Sequence, residues 1–369
     1  MTRPLRIIFS GGGTLGSVTP LIAIAARMRE RHPTAQAWWC GTFRGPERRL
    51  VGQVCSRYIP LSNGKWRRYF SFHNFIDPFL IVIGFIQSFI LLVLARPHVV
   101  VSAGGFVAVP LVWAAWLLRV KRIILQLDVS TSLATMLTFP FASKKVYLFA
   151  PRHPFIPDAL REALVRFPVR QFLMQASRDR QALMAQAHRQ FHLRPELPTV
   201  LAVGGGTGSR TLNDALLPVL PAFAEFANVI HLTGEKKTAP ASPRALPAGS
   251  YFSAPFLGQE LLLGYAAATL AITRGGIGTI AELSAAGIVP LVVPLPASAQ
   301  EENAQYLVAQ GAAIVVEQSP ALGEACLHAV RKLLSDPGAL NLMRQRLQDA
   351  VPVDDGTEAA NVLLGNLPV

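Results

Sequence analysis

The chain has 369 residues, a hydrophobic share of 51% and a formal net charge of +13, which gives enough apolar surface for two packed cores. Its three cysteines are scattered without a CxxC pair, so the sequence excludes a disulfide framework and a cysteine zinc site and favours a reducing cytoplasm. Residues 1–6 lack the apolar core of a signal peptide, and we expect the protein to stay in the compartment where it is made.

The positive charge lies entirely in the N-terminal half. Residues 1–168 hold 21 Lys and Arg against 6 Asp and Glu, a net charge of +15, whereas residues 169–369 hold 14 against 16, a net charge of −2. This asymmetry indicates that one half meets nucleic acid or acidic lipid headgroups, unless the basic residues form an ordinary solvated face. Nucleic acid is disfavoured, because no recognisable module with interleaved aromatics accompanies the basic half.

A short apolar run, a glycine turn and a helical segment follow one another four times along the chain. The units are RIIFSGGG with PLIAIAARMRERH, HVVVSAGG with VPLVWAAWLLR, TVLAVGGG with TLNDALLPVLPAF, and TLAITRGG with IAELSAAG. This alternation predicts an α/β fold of parallel sheets with helices on both faces. We expect two Rossmann-like domains, residues 1–167 and 168–354.

The first glycine turn, FSGGGTLGSV, has the glycine spacing of a dinucleotide fingerprint. Free backbone N–H groups and the positive end of the following helix suit a phosphate there. A dinucleotide site also requires an acidic residue about 20 residues on, at the end of the second strand. The predicted strand AQAWWCGT contains no carboxylate, so a nicotinamide or flavin cofactor is disfavoured.

The apolar segment FLIVIGFIQSFILLVLA, residues 79–95, is 17 residues long and leads directly into the strand of the second unit. It is slightly short for a bilayer span, and we expect it to be a helix of the α/β fold. Two coverings for this helix stay open, the interior of the domain or a membrane that contacts a partly exposed face. The basic and aromatic sequence KWRRYFSF just upstream is typical of a segment that lies on anionic lipid.

The fourth unit carries a candidate ribose ligand, Glu282, in a largely apolar neighbourhood. A carboxylate there can accept hydrogen bonds from both ribose hydroxyls, whereas the alternative is a first-turn Glu that only stabilises the helix dipole. The sequence QEENAQYL then places Gln300 and Asn303 three residues apart on one helical face, where two amides can bind sugar hydroxyls. The combination favours a sugar nucleotide in the second half.

Taken in order, the motifs GGGTLGSVTPLIAIA, SAGGFVAVP, VGGGTGSRTLN, HLTG, RGGIGTIAELSAAGIVP and QEENA resemble the MurG family, from about Ile7 to Gln318. The resemblance implies the GT-B fold, two Rossmann-like domains facing a central cleft, with the last helix, about residues 355–369, packing back on the first domain. It implies inverting transfer of N-acetylglucosamine from UDP-GlcNAc to the C4 hydroxyl of the muramoyl-pentapeptide on undecaprenyl diphosphate, which gives lipid II for peptidoglycan.

By this resemblance the second domain binds UDP-GlcNAc. The residues that match the family's donor contacts are Arg170 near the nucleotide, Gly205, Gly206 and Gly208 at the diphosphate, Phe256 and Leu257 at uracil, Arg274 before the glycine turn, Glu282 at the ribose, Gln300 at the sugar, and Asn303 beside it. Gly206 departs from the family, which often has Ser at this position.

By the same resemblance the first domain binds the lipid-linked acceptor, peripherally, at the cytoplasmic face of the plasma membrane. The acceptor diphosphate is expected on two turns, formed by Gly12, Gly13, Thr14 and Gly16 and by Gly104 and Gly105. An acceptor anchored in an anionic membrane explains why only this half is basic. The candidate membrane contacts are Lys65, Arg67, Arg68, Phe75 and Phe79.

The general base is where the sequence departs from the family. Ser17 stands where the family often has His, and Leu125 and Gln126 stand where many members have His and Glu. Asp128 is the one carboxylate left in either loop, so we hypothesise that it is the base, with Ser17 and Thr14 positioning the acceptor. The alternative is that Asp128 caps the helix after DVSTS.

No DxD motif occurs in the sequence, so we expect a metal-independent reaction without a cofactor, in which backbone N–H groups and positive helix ends stabilise the departing UDP. Two other functions stay open. One is a non-catalytic, sugar-nucleotide-binding membrane scaffold, because a family member that had lost catalysis would also lack the His and Glu. The other is a GT-B transferase with a different lipid-linked acceptor. Retention of Arg274, Glu282 and Gln300 together argues against the scaffold.

Overall fold

The computed structural model describes residues 4–64, 73–148, 164–206, 208–235, 246 and 250–365. The chain divides into two compact units, which we call unit 1, Met1–Arg170 with Asp354–Val369, and unit 2, Gln171–Val353. Each unit contains a six-stranded sheet, and every strand pair in both sheets is parallel. The predicted α/β class with two parallel sheets is confirmed.

Unit 1 is built on strands in the order β3-β2-β1-β4-β5-β6. The chain order reverses between β1 and β4, and such a switch point opens a crevice at the carboxyl ends of the strands. The strands are β1 (Arg6–Ser10), β2 (Gln36–Gly41), β3 (Arg57–Pro60), β4 (Val99–Ser102), β5 (Lys121–Gln126) and β6 (Lys144–Tyr147), followed by the two-residue β7 (Phe167–Pro168).

The helices of unit 1 connect these strands on both faces of the sheet. Ile8 and Val100 of the central strands are fully buried against Leu111 of the fourth helix, so the apolar strand runs form the core as predicted. The helices are α1 (Thr19–Arg31), α2 (Glu47–Val51), α3 (His73–Ala95), α4 (Ala108–Leu117) and α5 (Leu133–Thr138), with a short 3-10 helix at Phe139–Phe141.

Helix α3 begins six residues before the predicted apolar segment and packs on unit 1 along one side. A Cβ at Gly84 would lie 2.0 Å from the Ser62 carbonyl oxygen, so glycine alone allows this approach. The Ser62 amide donates to Gln87 Oε1 at 2.8 Å, and Leu92 and Ala95 are buried in the core. By length and composition Phe75–Ala95 is nevertheless apolar enough to cross a membrane.

Unit 2 repeats the strand order of unit 1, β10-β9-β8-β11-β12-β13. The strands are β8 (Thr199–Val203), β9 (Asn228–Leu232), β10 (Tyr251–Ala254), β11 (Ala268–Thr273), β12 (Val289–Val292) and β13 (Ile314–Val315). The helices are α6 (Gln175–Arg178), α7 (Arg180–Gln190), α8 (Arg210–Leu216), α9 (Leu220–Phe223), α10 (Leu261–Ala267), α11 (Ile277–Ala286), α12 (Ala299–Ala309), α13 (Leu322–Leu334) and α14 (Pro337–Ala350), with 3-10 helices at Gln171–Met174 and Leu217–Val219. The repeated order accounts for the fourfold repeat in the sequence.

The chain then re-enters unit 1 through β14 (Val353–Asp354) and ends in α15 (Thr357–Leu364). The Val169 amide donates to the Asp354 carbonyl at 2.8 Å. Gly356 has φ +92°, and a Cβ there would lie 2.8 Å from the Ala23 carbonyl carbon of α1. Arg27 of α1 forms an ion pair with Asp355. These contacts fix α15 against α1 within unit 1.

Candidate active site

The first glycine loop joins β1 to α1 at the carboxyl edge of the unit 1 sheet. Gly13 lies in the left-handed region with φ +84°, and the Gly11 carbonyl accepts a hydrogen bond from Trp39 Nε1 at 2.9 Å. In the described part of the chain, the amides of residues 14–16 have no protein acceptor. The loop therefore presents backbone donors at the positive end of a 13-residue helix, which is an arrangement suited to an anion.

Glu47, which the sequence analysis missed, holds this loop by a hydrogen bond to its backbone. Its side chain is 0% exposed. One carboxylate oxygen accepts from the Gly13 amide at 3.3 Å, and the other accepts from the Thr42 amide at 2.7 Å and the Thr42 hydroxyl at 2.6 Å. Burial and the nearby Glu47 raise the pKa of Tyr58. The available signal was a lone acid in the basic segment FRGPERR, directly after a predicted strand.

The second glycine turn, between β4 and α4, lies against the first. Gly104 and Gly105 have φ values of +86° and +83°. A Cβ at Gly105 would lie 3.1 Å from the Gly12 carbonyl oxygen and 3.8 Å from Ser17 Oγ. The Ser17 hydroxyl is buried and has no hydrogen-bond partner within the described residues. The two turns predicted to hold the acceptor diphosphate are therefore adjacent, with an unpartnered hydroxyl beside them.

Asp128 lies in a third loop, which follows β5 and thus neighbours the turn after β4. Gln126 holds this loop, because its side-chain amide donates to the Asp128 and Ser130 carbonyls, both at 2.8 Å. Ser132 caps α5 by accepting from the Thr135 amide at 3.2 Å. The alternative in which Asp128 caps this helix is therefore wrong, and Asp128 is half-buried in the loop.

In unit 2, the turn after β8 leaves open space on one side and is tightly packed on the other. A Cβ at Gly205, where φ is +82°, would meet no atom of the described residues within 4 Å, whereas a Cβ at Gly208 would lie 2.1 Å from the Thr233 carbonyl oxygen. Arg274 follows β11 and donates from its guanidinium to Ser209 Oγ at 2.6 Å. Burial lowers the pKa of Arg274, and its Nε has no partner within the described residues. A buried cation thus adjoins the turn that contains Gly206.

Glu282 lies in the middle of α11 and is buried. Its carboxylate accepts from the Tyr265 hydroxyl at 2.8 Å, which fixes its orientation. The first turn of α11 contains no acidic residue, so the alternative of a first-turn Glu stabilising the helix dipole is wrong.

The two amides of α12 differ in their surroundings. Gln300 Oε1 accepts from the Leu295 amide at 2.9 Å. Asn303 is 0% exposed and donates to the Gly275 carbonyl at 3.2 Å. This differs from the expectation that both amides face a sugar, because Asn303 has no access to solvent and instead holds the turn that opens α11.

The remaining predicted donor residues lie at loop positions. Phe256 follows β10 and is 41% exposed, whereas the adjacent Leu257 is buried. Arg170 is the last residue of the first segment of unit 1 and is half-buried.

A buried polar network that the sequence analysis missed supports the Gly208 turn. His231 Nε2 lies 3.0 Å from Asn213 Oδ1, and the Asn213 amide donates to the Thr233 carbonyl at 3.1 Å. His231 Nδ1 lies 3.1 Å from the Tyr251 hydroxyl. Burial lowers the pKa of His231 to about 4, so the imidazole is neutral at pH 7 and links β9 to α8 by hydrogen bonds alone.

The outer side of α3 is apolar and exposed. Phe75 is 65% exposed and Phe79 is 71% exposed, so the alternative of a helix covered all round by the domain interior is wrong. The predicted basic contacts Lys65, Arg67 and Arg68 lie outside the described residues. We call the following exposed side chains of α3, α4 and α5 the apolar face: Phe75, Ile76, Phe79, Val82, Ile83, Ile86, Ile90, Val93, Leu94, Trp116, Leu117, Leu133, Met136 and Leu137.

Metal ligands do not cluster in the described part of the chain, where no group of three or more His, Cys, Asp or Glu side chains could hold an ion.

Comparison with known proteins gives consistent matches over both units. Residues 7–147 match the glycosyltransferase family 28 N-terminal domain and residues 199–355 match the glycosyltransferase family 28 C-terminal domain. The chain is similar to proteins named UDP-N-acetylglucosamine--N-acetylmuramyl-(pentapeptide) pyrophosphoryl-undecaprenol N-acetylglucosamine transferase. The one from Desulforudis audaxviator is 33% identical over 354 residues, covering 92% of this chain and 93% of the relative. The one from Legionella pneumophila (strain Paris) is 30% identical over 332 residues, covering 89% and 88%.

A crystal structure of MurG from Acinetobacter baumannii is similar to this structure with a TM-score of 0.70 and 20% sequence identity, covering 98% of this chain and 100% of that one. This likeness shows the GT-B fold.

Proposed function

The chain belongs to the MurG family of N-acetylglucosamine transferases, and from this membership we propose that it transfers N-acetylglucosamine from UDP-GlcNAc to a muramyl-pentapeptide carried on undecaprenyl diphosphate. The observation that carries the proposal is that, in each unit, the candidate binding turns follow the carboxyl ends of neighbouring central strands. Ligands of open α/β sheets bind at that edge. The similarity to named transferases spans both units, which supports one substrate in each.

In unit 2 the donor would bind with its ribose on Glu282 and its diphosphate on Gly205 and Gly206. Tyr265 already orients the Glu282 carboxylate, which leaves less side-chain entropy to lose on binding. The Arg274 guanidinium next to the turn supplies positive charge to the diphosphate. Gln300 and Phe256 would contact the sugar and the base, and Asn303 acts through the Gly275 turn.

In unit 1 the acceptor diphosphate would bind on the first glycine loop. Among the described residues, the amides of residues 14–16 and the Ser17 hydroxyl are donors without a protein acceptor, and they lie at the positive end of α1. Gly105 allows the second turn to close against the first. These features suit a diphosphate better than a dinucleotide, since β2 supplies no carboxylate for a ribose.

The transfer is proposed to proceed by a single displacement that inverts the anomeric carbon. The Asp128 carboxylate takes the proton of the acceptor C4 hydroxyl as its oxygen bonds to the anomeric carbon. The bond from that carbon to the diphosphate oxygen breaks, and UDP leaves with the electron pair. Arg274 and the backbone donors of the Gly205 turn stabilise the charge that grows on the diphosphate. A metal ion is not needed in this scheme because Arg274 supplies the cation.

The apolar face is proposed to dock unit 1 at the anionic cytoplasmic surface of the plasma membrane. An apolar helix face lying in the interface, with basic residues around it, is an arrangement that binds anionic lipid. Arg96 and Arg119 are exposed at the ends of α3 and α4, next to the apolar face, and the half that carries it has the excess of positive charge.

The proposal is tested by incubating the purified protein with radiolabelled UDP-GlcNAc and a short-chain lipid-linked muramyl-pentapeptide, with and without EDTA. We expect label in the lipid product, with inverted configuration, in both conditions. Calorimetric binding of UDP without transfer would instead support the scaffold function. Transfer to a different lipid-linked sugar alone would support a GT-B transferase with another acceptor.

A further inference from the structure

We propose that Glu47 is a positioning residue for the acceptor site, and that its buried carboxylate sets which backbone amides of the first glycine loop receive the acceptor diphosphate. The inference rests on the function proposed for unit 1. It assigns a role to a residue of α2, outside both glycine turns and outside the loop of Asp128.

Glu47 connects two loops at the carboxyl edge of the sheet. One oxygen bonds the Gly13 amide, and the other bonds the amide and the hydroxyl of Thr42. The carboxylate is enclosed by two glycines, since a Cβ at Gly12 would lie 2.4 Å from Oε1 and a Cβ at Gly45 would lie 1.9 Å from Oε2. The loop between β2 and α2 and the first glycine loop therefore have one shared anchor.

A fully buried carboxylate is costly unless hydrogen bonds compensate for lost hydration. Among the described Asp and Glu residues, Glu47 alone is 0% exposed, while Asp77, Glu282 and Asp354 are 6–7% exposed. Its hydrogen-bond donors are all uncharged groups: two backbone amides and two hydroxyls, including that of Tyr58 at 3.3 Å. Such an arrangement fixes the donors in place, because each bond to a charged acceptor is stronger than a neutral one.

The position of the charge decides which amides stay available to an anion. The Gly13 amide is occupied by Glu47, and a negative charge behind it repels a phosphate from that position. The amides of residues 14–16 and the Ser17 hydroxyl, further along the loop, have no protein acceptor within the described residues. The diphosphate is therefore directed to the segment that leads into α1 and to the side on which Gly105 contacts Gly12.

The substitution Glu47→Gln tests this role with little change in volume. Both oxygens of Glu47 face donors, so the amide nitrogen of a Gln would meet either the Gly13 N–H or the Thr42 N–H. A donor facing a donor cannot form a bond, and one of the two loops must lose its anchor. Thr42→Val is a milder second variant, because it removes one hydroxyl bond and keeps the bond to Gly13. Glu30→Gln, an exposed carboxylate on α1, is the matched control.

The readouts separate positioning from general destabilisation. In the full-length Glu47→Gln variant we expect hydrogen exchange of residues 11–18 to be about tenfold faster, and kcat/KM for the lipid-linked acceptor to fall about 10- to 100-fold, since a misplacement of about 1 Å can cost this much. The KM for UDP-GlcNAc and calorimetric UDP affinity should stay within about twofold, and Thr42→Val should change the acceptor kcat/KM by less than about fivefold.

Unchanged exchange of the glycine loop in Glu47→Gln would overturn the proposal, and so would faster exchange with an unchanged acceptor kcat/KM. An equal loss of kcat/KM for the donor and for the acceptor would also overturn it, since that result indicates general destabilisation of the protein. A wild-type protein that binds UDP but transfers nothing would contradict the proposed function, whereas the exchange comparison still decides whether Glu47 holds the loop.

Discussion

At the scale of single residues, the structure separates groups that can contact a substrate from groups that hold those contacts in place. Asp128 and Ser17 lie on the loops that follow β5 and β1, the two strands that flank β4 in unit 1, whereas Gln126 and Glu47 bond the loop backbones. In unit 2, Asn303 and His231 have the second role. The distinction matters for mutagenesis, because loss of a holding residue acts through geometry and loss of a contact acts on binding or chemistry directly.

The replacement Asp128→Asn tests the assignment of the general base. The amide is similar in size but cannot take a proton, so we expect kcat to fall by about 100-fold or more with donor KM nearly unchanged. Steady-state transfer assays with both substrates varied are the measurement. Ser130→Ala in the same loop is a suitable control, since Ser130 bonds Gln126 through its backbone carbonyl, which this substitution keeps. Near-normal kcat in Asp128→Asn would mean that the base is another group.

The shifted pKa of His231 predicts how the stability of unit 2 depends on pH. Burial lowers the pKa of His231 to about 4 in the folded state, against about 6.5 in the unfolded state. Below pH 6.5 His231 is therefore protonated in the unfolded chain while it is still neutral in the folded one, which favours unfolding. The neutral imidazole contributes fully to the free energy of unfolding above pH 6.5, and this contribution is lost as the pH falls toward 4. The loss is on the order of 3 kcal/mol.

Urea unfolding at about pH 7 and about pH 5 measures this effect. We expect the free energy of unfolding to fall more between these pH values in the wild type than in His231→Gln, which cannot titrate. The variant keeps an amide that can still bond Asn213, and it should be less stable at pH 7. Equal pH dependence in both proteins would show that His231 does not titrate in this window.

At the scale of secondary structure, α3 shows how one helix satisfies two environments. Its inner side has small and polar residues, Gly84, Gln87 and Ser88, that allow close packing on the loop after β3 and on α4. Its outer side is a continuous apolar stripe at helical spacing. The sequence could not choose between the two coverings because the helix is apolar on nearly every side, and only the packing partners distinguish the faces.

If the apolar face docks at the membrane, negative charges introduced into it should weaken membrane binding. Replacing Phe79 and Ile86 with Glu should weaken binding to anionic vesicles about tenfold or more, because two exposed apolar groups are lost and two negative charges face the lipid. The thermal midpoint should change little, since both side chains are exposed. Replacing Leu342, an exposed apolar residue of α14 in unit 2, with Glu is the control, and this variant should bind like the wild type. Vesicle co-sedimentation gives the result, and equal binding by all three proteins would contradict the docking proposal.

At the scale of the whole molecule, two units with the same strand order differ in charge and in exposed apolar surface. The basic residues and the long apolar stripe occur in the first half of the chain, and unit 2 combines a near-neutral composition with a buried Glu282 and a buried Arg274. One fold thus serves two chemistries, since the α/β sheet supplies an anion-binding edge in both units and the side chains on it decide what is bound.

This asymmetry predicts a salt-dependent association with lipid. Raising the NaCl concentration from about 0.05 M to about 0.5 M shortens the screening length several-fold, so binding to anionic vesicles should weaken about tenfold or more, while weak binding to neutral vesicles should not. Vesicle titrations at both salt concentrations make the comparison. Salt-independent binding to anionic vesicles would mean that the apolar face acts without the basic residues.

The sequence by itself determined the fold class and the family, because strand, glycine turn and helix alternate locally and the turn motifs are contiguous. Most candidate site residues belong to those motifs for the same reason. The structure alone decided which side of α3 is covered, that Ser132 rather than Asp128 caps α5, and that Asn303 is fully buried. It also revealed the bond of Glu47 to Gly13 and the bond of His231 to Asn213, which join residues 34 and 18 positions apart in the chain. Contacts between residues so far apart in sequence arise from packing the sheet, and no local pattern encodes them.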